Sequence, residues 1–167
     1  MSALEFLTDF ITSGQVEGVG LNSTLEEWAE NLGTGYIDDK SRSGKQLRRD
    51  YGLVELGFLR VNKLWSCFLI SLQVHRLWRY DDNVPQKLVD RYGEFPGSFQ
   101  FQDVDRALLA LGYEPKLIAD EHGSDIARYH VRVANLTIGV VATTSDVSNS
   151  LPVGSVWAMH LSGNSDI

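Results

Sequence analysis

A loosely repeated pattern, in which a helix precedes a pair of strands, constrains the fold of this chain more than any other feature. Two helical stretches, residues 23–33 and 102–112, each carry an apolar stripe and end on a Leu-Gly pair. Each is followed by two segments with strand-like alternation: 51–58 and 64–75 after the first, 127–134 and 136–144 after the second. Helix-then-hairpin units favour an antiparallel sheet covered on one face. The pattern predicts related units at residues 20–80 and 100–162 within a single domain, 1–167.

Start and stop signals place the helices along the chain. Ser23 and Glu26 stand at capping-box spacing, and Gly33 supplies the left-handed residue that ends the helix. Further helices are predicted at residues 3–12, 83–93 and 102–112, and further strands at 114–119 and 155–161. This element order predicts an α+β fold: a mostly antiparallel sheet with helices packed on one face, and an internal duplication of the helix-hairpin unit.

The strongest strand pattern lies in residues 65–75. Its alternation predicts a core face made by Phe68, Ile70, Leu72 and Val74, and places Cys67 on the opposite face. Because the opposite face changes from apolar to polar along the segment, we expect this strand to lie centrally in the sheet.

Residues 34–50 show no such alternation. The segment holds five of the fifteen Lys and Arg residues: Lys40, Arg42, Lys45, Arg48 and Arg49. A polar, charged stretch without apolar periodicity is typical of a long connection, so no strand is predicted here.

Charge and cysteine content limit the classes of partner. The formal net charge of -7 argues against general nucleic-acid binding and suits one basic protein partner. The single cysteine cannot form an intramolecular disulfide, which favours a reducing compartment. The first residues lack a basic signal-peptide region, and no segment reaches the ~20 apolar residues that span a bilayer. We therefore expect a cytoplasmic protein with no membrane and no nucleic-acid partner.

The residues that usually carry catalysis do not form a recognisable motif. The four histidines, His75, His122, His130 and His160, lack metal-ligand spacing. There is no Gly-x-Ser-x-Gly elbow, and Cys67 is predicted to be buried and inert. The sequence therefore predicts no enzyme, no metal site and no cofactor.

Residues 75–82 follow the central strand and mix Trp, Tyr, Arg and Asp. Trp, Tyr and Arg dominate the energetic hot spots of protein interfaces. An alternative for this segment is that Leu77 and Trp78 simply cover the sheet edge. With the acidic pair in the 34–50 connection, the candidate partner-binding residues are Asp38, Asp39, Trp78, Tyr80, Asp81 and Asp82.

The front of the chain resembles a known family. Gly20-Leu21, the helix ending at Leu32-Gly33 and the string Tyr51-Gly52-Leu53-Val54-Glu55-Leu56 together resemble immunity proteins of bacterial polymorphic toxin systems, of the actinobacterial type, over about residues 20–60. The resemblance implies a non-catalytic inhibitor that binds and neutralises a cognate toxin, whose acidic residues replace nucleic acid if the toxin is a nuclease.

Two alternatives remain open at this level. A secretion or assembly chaperone, or an adaptor, would hold a partner protein on the same kind of sheet, and a small-ligand sensor would place a polar cluster on the sheet's concave face. Stoichiometry separates the first two, because such chaperones tend to be dimers whereas an immunity protein can bind one toxin as a monomer.

Overall fold

The computed structural model describes residues 1–79, 83–118, 124–132, 134–143 and 151–163. Within these ranges the helices are α1 (Ala3–Ser13), α2 (Leu25–Leu32), α3 (Gln86–Tyr92) and α4 (Phe101–Ala110), with a short 3₁₀ helix, η1, at Val74–Trp78. The strands are β1 (Gln15–Val16), β2 (Val19–Gly20), β3 (Ile37–Lys40), β4 (Gln46–Asp50), β5 (Val54–Val61), β6 (Leu64–Leu72), β7 (Lys116–Leu117), β8 (Ile126–Val131), β9 (Leu136–Val141) and β10 (Val156–Ser162). No helix in the described ranges is long and apolar enough to cross a membrane.

Two antiparallel meanders make one large sheet. Its strand order across the described residues is β3-β4-β5-β6-β10-β9-β8-β7, and the two meanders meet where β6 pairs with β10. Helix α2 precedes the first meander and α4 precedes the second. The predicted α+β class and antiparallel sheet are confirmed, and β6 lies centrally. The division into units 20–80 and 100–162 stays a prediction.

The helices begin and end with local hydrogen bonds. Ser2 and Glu5 cap α1 reciprocally, and Thr24 and Glu27 do the same for α2. The predicted box at Ser23 is therefore displaced by one residue, because Ser23 Oγ accepts the backbone N–H of Gly20 at 3.4 Å instead.

Aromatic side chains join the helices to one another and to the sheet. The Phe6 ring of α1 packs edge-on against Tyr92 of α3, with centroids 5.2 Å apart. The ring centroid of Phe101 in α4 lies 4.2 Å from that of Tyr129 in β8. Trp28 of α2 is fully buried. These contacts build a single core between the helices and one face of the sheet.

The prediction that residues 34–50 form a loop is wrong, because β3 and β4 make a hairpin there. In β4 the buried positions are Leu47 and Arg49. Because the buried position 49 is an arginine, the alternation of apolar and polar residues that marks a strand is not visible in the sequence of β4. All four residues of β3 are exposed, as suits an edge strand, so β3 has no apolar period to detect.

The predicted core face of β6 is also partly wrong. The pairing of β5 with β6 shifts between Gly57, which faces Leu69, and Phe58, which faces Cys67, so Phe68 is the extra residue of a bulge in β6. Cys67 is therefore buried in the core, and the ring of Phe68 lies over Gly57 on the opposite face. One extra residue in a bulge changes which side chains face inward, and strict alternation cannot anticipate it.

Candidate docking face of the sheet

A polar row crosses the sheet on the face away from the helices, here called the open face. Its members are cross-strand neighbours in register: Asp50, Glu55, Ser71, His160, Thr137, His130 and Lys116. The rows on either side of it point into the core, because strand side chains alternate between faces. The open face is thus polar along its middle.

The centre of the row is a hydrogen-bonded serine-histidine pair. Ser71 Oγ lies 2.7 Å from His160 Nδ1, and Gln73 Nε2 donates to Ser71 Oγ at 3.0 Å. The Ser71 residue is only 2% exposed. Since its oxygen already accepts from Gln73, its proton is available for His160. This geometry suits a satisfied buried hydroxyl that orders the sheet, rather than a nucleophile open to substrate.

Arginine 76 fixes η1 over one part of this face. Its guanidinium donates to Asp50 at 3.0 Å, to Glu55 at 2.8 Å and to the carbonyl of Gly52 at 2.9 Å. These groups are all partly buried, so the bonds are charge-assisted and only partly screened. The sequence placed Arg76 in the interface-like stretch without identifying these partners.

The pKa of the neighbouring His75 is lowered by its surroundings. Its ring stacks on Trp157 with centroids 4.2 Å apart and an angle of 6°. His75 Nδ1 lies 3.2 Å from the carbonyl oxygen of Trp157, and it must donate because a carbonyl only accepts. Burial lowers the pKa of His75, and the nearby charge of Arg76 lowers it further.

A groove of about 490 Å³ opens on this face beside the β3–β4 hairpin. We call it the open-face groove and define it by its lining residues: Asp39, Arg48, Glu55, Gly57, Phe68 and Leu69. Glycine at position 57 keeps it open, since a Cβ there would lie 3.0 Å from the Phe68 ring and 3.1 Å from Leu69 Cβ. Arg48 Nη2 lies 3.9 Å from Asp39 Oδ2, and Arg48 Nη1 lies 3.7 Å from Glu55 Oε2. The groove therefore has an apolar floor and a charged rim.

The predicted contact residues separate in the structure. Asp39 lies on the groove rim with its side chain 71% exposed. Trp78, 44% exposed, ends η1 close to Gly97, away from the groove lining. The remaining three predicted contacts, Tyr80, Asp81 and Asp82, lie outside the described residues.

Asp38 is the partner of a buried arginine. Its carboxylate accepts from Arg49 Nε at 2.8 Å and from Arg49 Nη2 at 2.9 Å. Arg49 also donates to the Leu25 carbonyl at 2.8 Å and lies 3.7 Å from the Tyr36 ring centroid. Burial opposes the charge on Arg49, but the hydrogen bond and charge of Asp38 outweigh it, and the pKa of Arg49 is raised. Asp38 therefore stabilises the hairpin's attachment to α2.

Sequence reasoning missed most of the groove. Arg48 was assigned to a connection, and Phe68 to the core. Glu55 was available as a signal, because it is a charged residue on the second face of a predicted strand. The bulge that exposes Phe68 leaves no recognisable signal in the sequence.

The charges of the molecule are segregated. Residues 1–36, which include α1 and α2, hold six Asp or Glu residues and no Lys or Arg. Residues 37–79, which form the first meander and η1, hold nine Lys or Arg against four Asp or Glu. The remaining residues, 80–167, hold twelve Asp or Glu against six Lys or Arg. The acidity that suggested a basic partner therefore comes from the segments before and after the first meander, not from the strands around Asp38 and Asp39.

Among the described residues, no group of three or more His, Cys, Asp or Glu side chains is placed to hold a metal ion. Comparison with known proteins finds no matching family model, curated protein or solved structure.

Proposed function

We propose that this protein is a non-catalytic protein-binding module that docks one protein partner on the open face of its sheet. The open-face groove carries the proposal. It combines an apolar floor, Phe68 and Leu69, with the charged rim residues Arg48 and Asp39. An apolar centre inside a polar rim is the usual anatomy of a protein interface, and hot-spot side chains of a partner fill pockets of this kind.

Within that class, the proposed role is an immunity protein that binds and neutralises a cognate toxin. The resemblance over residues 20–60 supports this role, and that stretch supplies four of the six residues that define the groove, Asp39, Arg48, Glu55 and Gly57. An inhibitor needs no reacting groups of its own, because it acts by occupying its partner's surface.

Capture from the native lysate tests the proposal. Tagged wild-type protein should retain one partner at a ratio near one to one after a high-salt wash. A groove variant carrying Arg48→Ala and Phe68→Ala should lose it. A control variant carrying Glu26→Ala and Glu30→Ala, both exposed on α2, should retain it. Retention by all three proteins would refute the groove as the docking site.

Growth assays test the inhibitory role. The captured partner, expressed without this protein in a bacterial host, should arrest growth, and co-expression of the wild type should restore it. A partner that is harmless when expressed this way, or a stable dimer of this protein holding several clients, would contradict the immunity role and favour a chaperone or adaptor.

A further inference from the structure

Five exposed cations cluster at one end of the first meander. The β3–β4 and β5–β6 turns lie at the same end of the sheet, since Gln46 pairs with Leu59 and the Lys45 carbonyl accepts the Arg60 N–H at 2.9 Å. Around these turns lie Lys40, Arg42, Lys45, Arg60 and Lys63, which we call the basic end. No Asp or Glu occurs between residues 40 and 49 or between 56 and 75.

The basic end combines cations that have no ion-pair partner among the described residues with exposed apolar side chains. Within the described part of the chain, none of its five cations forms an ion pair, although Arg60 lies 5.8 Å from the Trp65 ring centroid. Asn62 and Lys63 both have positive φ, which makes the tight turn of a primed hairpin. The two residues that flank this turn are exposed, Val61 by 48% and Leu64 by 72%. Cations around an aliphatic tip, next to the groove, form a continuous amphipathic surface.

We propose that the basic end docks an acidic segment of the protein partner, with aliphatic side chains of that segment against Val61 and Leu64. This inference rests on the proposed protein-binding function and names the chemistry of its partner. A protein segment fits better than an extended polyanion. Charges further apart than a Debye length of about 8 Å are largely screened, so a short segment at the basic end interacts mainly with the local cations. An extended polyanion such as duplex DNA, or an anionic membrane, would also come close to other parts of a molecule whose net charge is -7.

A peptide titration tests the inference on the purified full chain. The probe is a fluorescein-labelled peptide of alternating glutamate and leucine, and fluorescence anisotropy measures its binding. The test variant carries Arg42→Glu, Lys45→Glu and Lys63→Glu. The control variant has the same change in net charge through Lys87→Glu, Arg106→Glu and Arg132→Glu, which are exposed and lie outside the basic end.

The wild type and the control should bind the peptide, and rising salt should weaken that binding. The test variant should bind on the order of tenfold to a hundredfold more weakly, because three exposed ion pairs are replaced by repulsion. A milder variant, with alanine at the same three positions, should be intermediate and guards against misfolding.

Three results would overturn the inference. These are no binding by the wild type, equal loss in test and control variants, or tighter binding to duplex DNA or to vesicles of phosphatidylcholine with phosphatidylserine than to the peptide. None of them bears on lysate capture through the groove. A wild type that captures a partner but ignores the peptide would leave the proposed function standing and remove only the assignment of the partner's chemistry.

Discussion

Replacing Asp38 by alanine should destabilise the fold, although Asp38 is an acidic residue on an exposed edge strand. The substitution removes both carboxylate hydrogen bonds from the buried guanidinium of Arg49. Hydrogen bonds to charged groups contribute about 1.5–3 kcal/mol each, and breaking a buried ion pair costs about 3–5 kcal/mol. The side chain of Asp38 is 30% exposed, so solvent screens part of this loss. Arg49 also keeps the Leu25 carbonyl and the Tyr36 ring, and we expect a loss of about 3 kcal/mol.

The neighbouring residue supplies a matched control. Asp39 faces Arg48 at 3.9 Å with its side chain 71% exposed, and such surface pairs contribute at most about 1 kcal/mol. Asp39→Ala should therefore change the free energy of unfolding by less than about 0.5 kcal/mol.

Urea unfolding followed by tryptophan fluorescence measures both effects, since Trp28 is fully buried. In a thermal melt the Asp38 variant should lose about 6–12 °C, at about 2–4 °C per kcal/mol for a domain of this size. Equal stability of the two variants, within about 0.5 kcal/mol, would refute the structural role of Asp38 and return it to the list of available contact residues.

Other predictions follow from the core and the backbone. Burial raises the pKa of Cys67 to about 12, so a thiol reagent at neutral pH should label it only after unfolding; rapid labelling of the folded protein would contradict its burial. Gly52→Ala should cost at least about 2 kcal/mol more than Gly112→Ala. Both glycines have positive φ, but only at Gly52 would a Cβ lie 2.4 Å from the Asn83 carbonyl oxygen. Because the folded-state pKa of His75 is lowered, its neutral form contributes stability that is present above 6.5 and is lost as pH falls through the lowered pKa. In the His75→Phe variant, the free energy of unfolding should therefore depend less steeply on pH below 6.5. An unchanged slope would count against the lowered pKa of His75.

Elements with a regular apolar period could be predicted from the sequence. Helix α2 and strand β5 are found close to their predicted positions, because each buries one regular stripe and ends at a turn residue. The β3–β4 hairpin could not be predicted. It is held by an ion pair between Asp38 and the buried Arg49, and charged residues in a hairpin look like a loop.

The candidate site was harder to predict for the same physical reasons. Asp38 and Asp39 were both chosen because they form an acidic pair in the sequence. Only Asp39 lies on the groove rim, whereas Asp38 binds Arg49. Phe68 was assigned to the core because the bulge at Phe68, where the pairing with β5 skips one residue, cannot be seen in the alternation of one strand. Cross-strand register places Arg48 and Glu55 together, and register depends on pairing that local sequence does not specify.

The most direct test of the open face as the docking surface is the affinity of the captured partner, measured by titration calorimetry against purified variants. The account predicts that Arg48→Ala with Phe68→Ala weakens binding by more than about tenfold, since truncating an interface anchor typically costs more than ~1.4 kcal/mol. Glu26→Ala with Glu30→Ala should leave the affinity unchanged. The opposite pattern would contradict the account, because it would place the partner on the acidic helical layer.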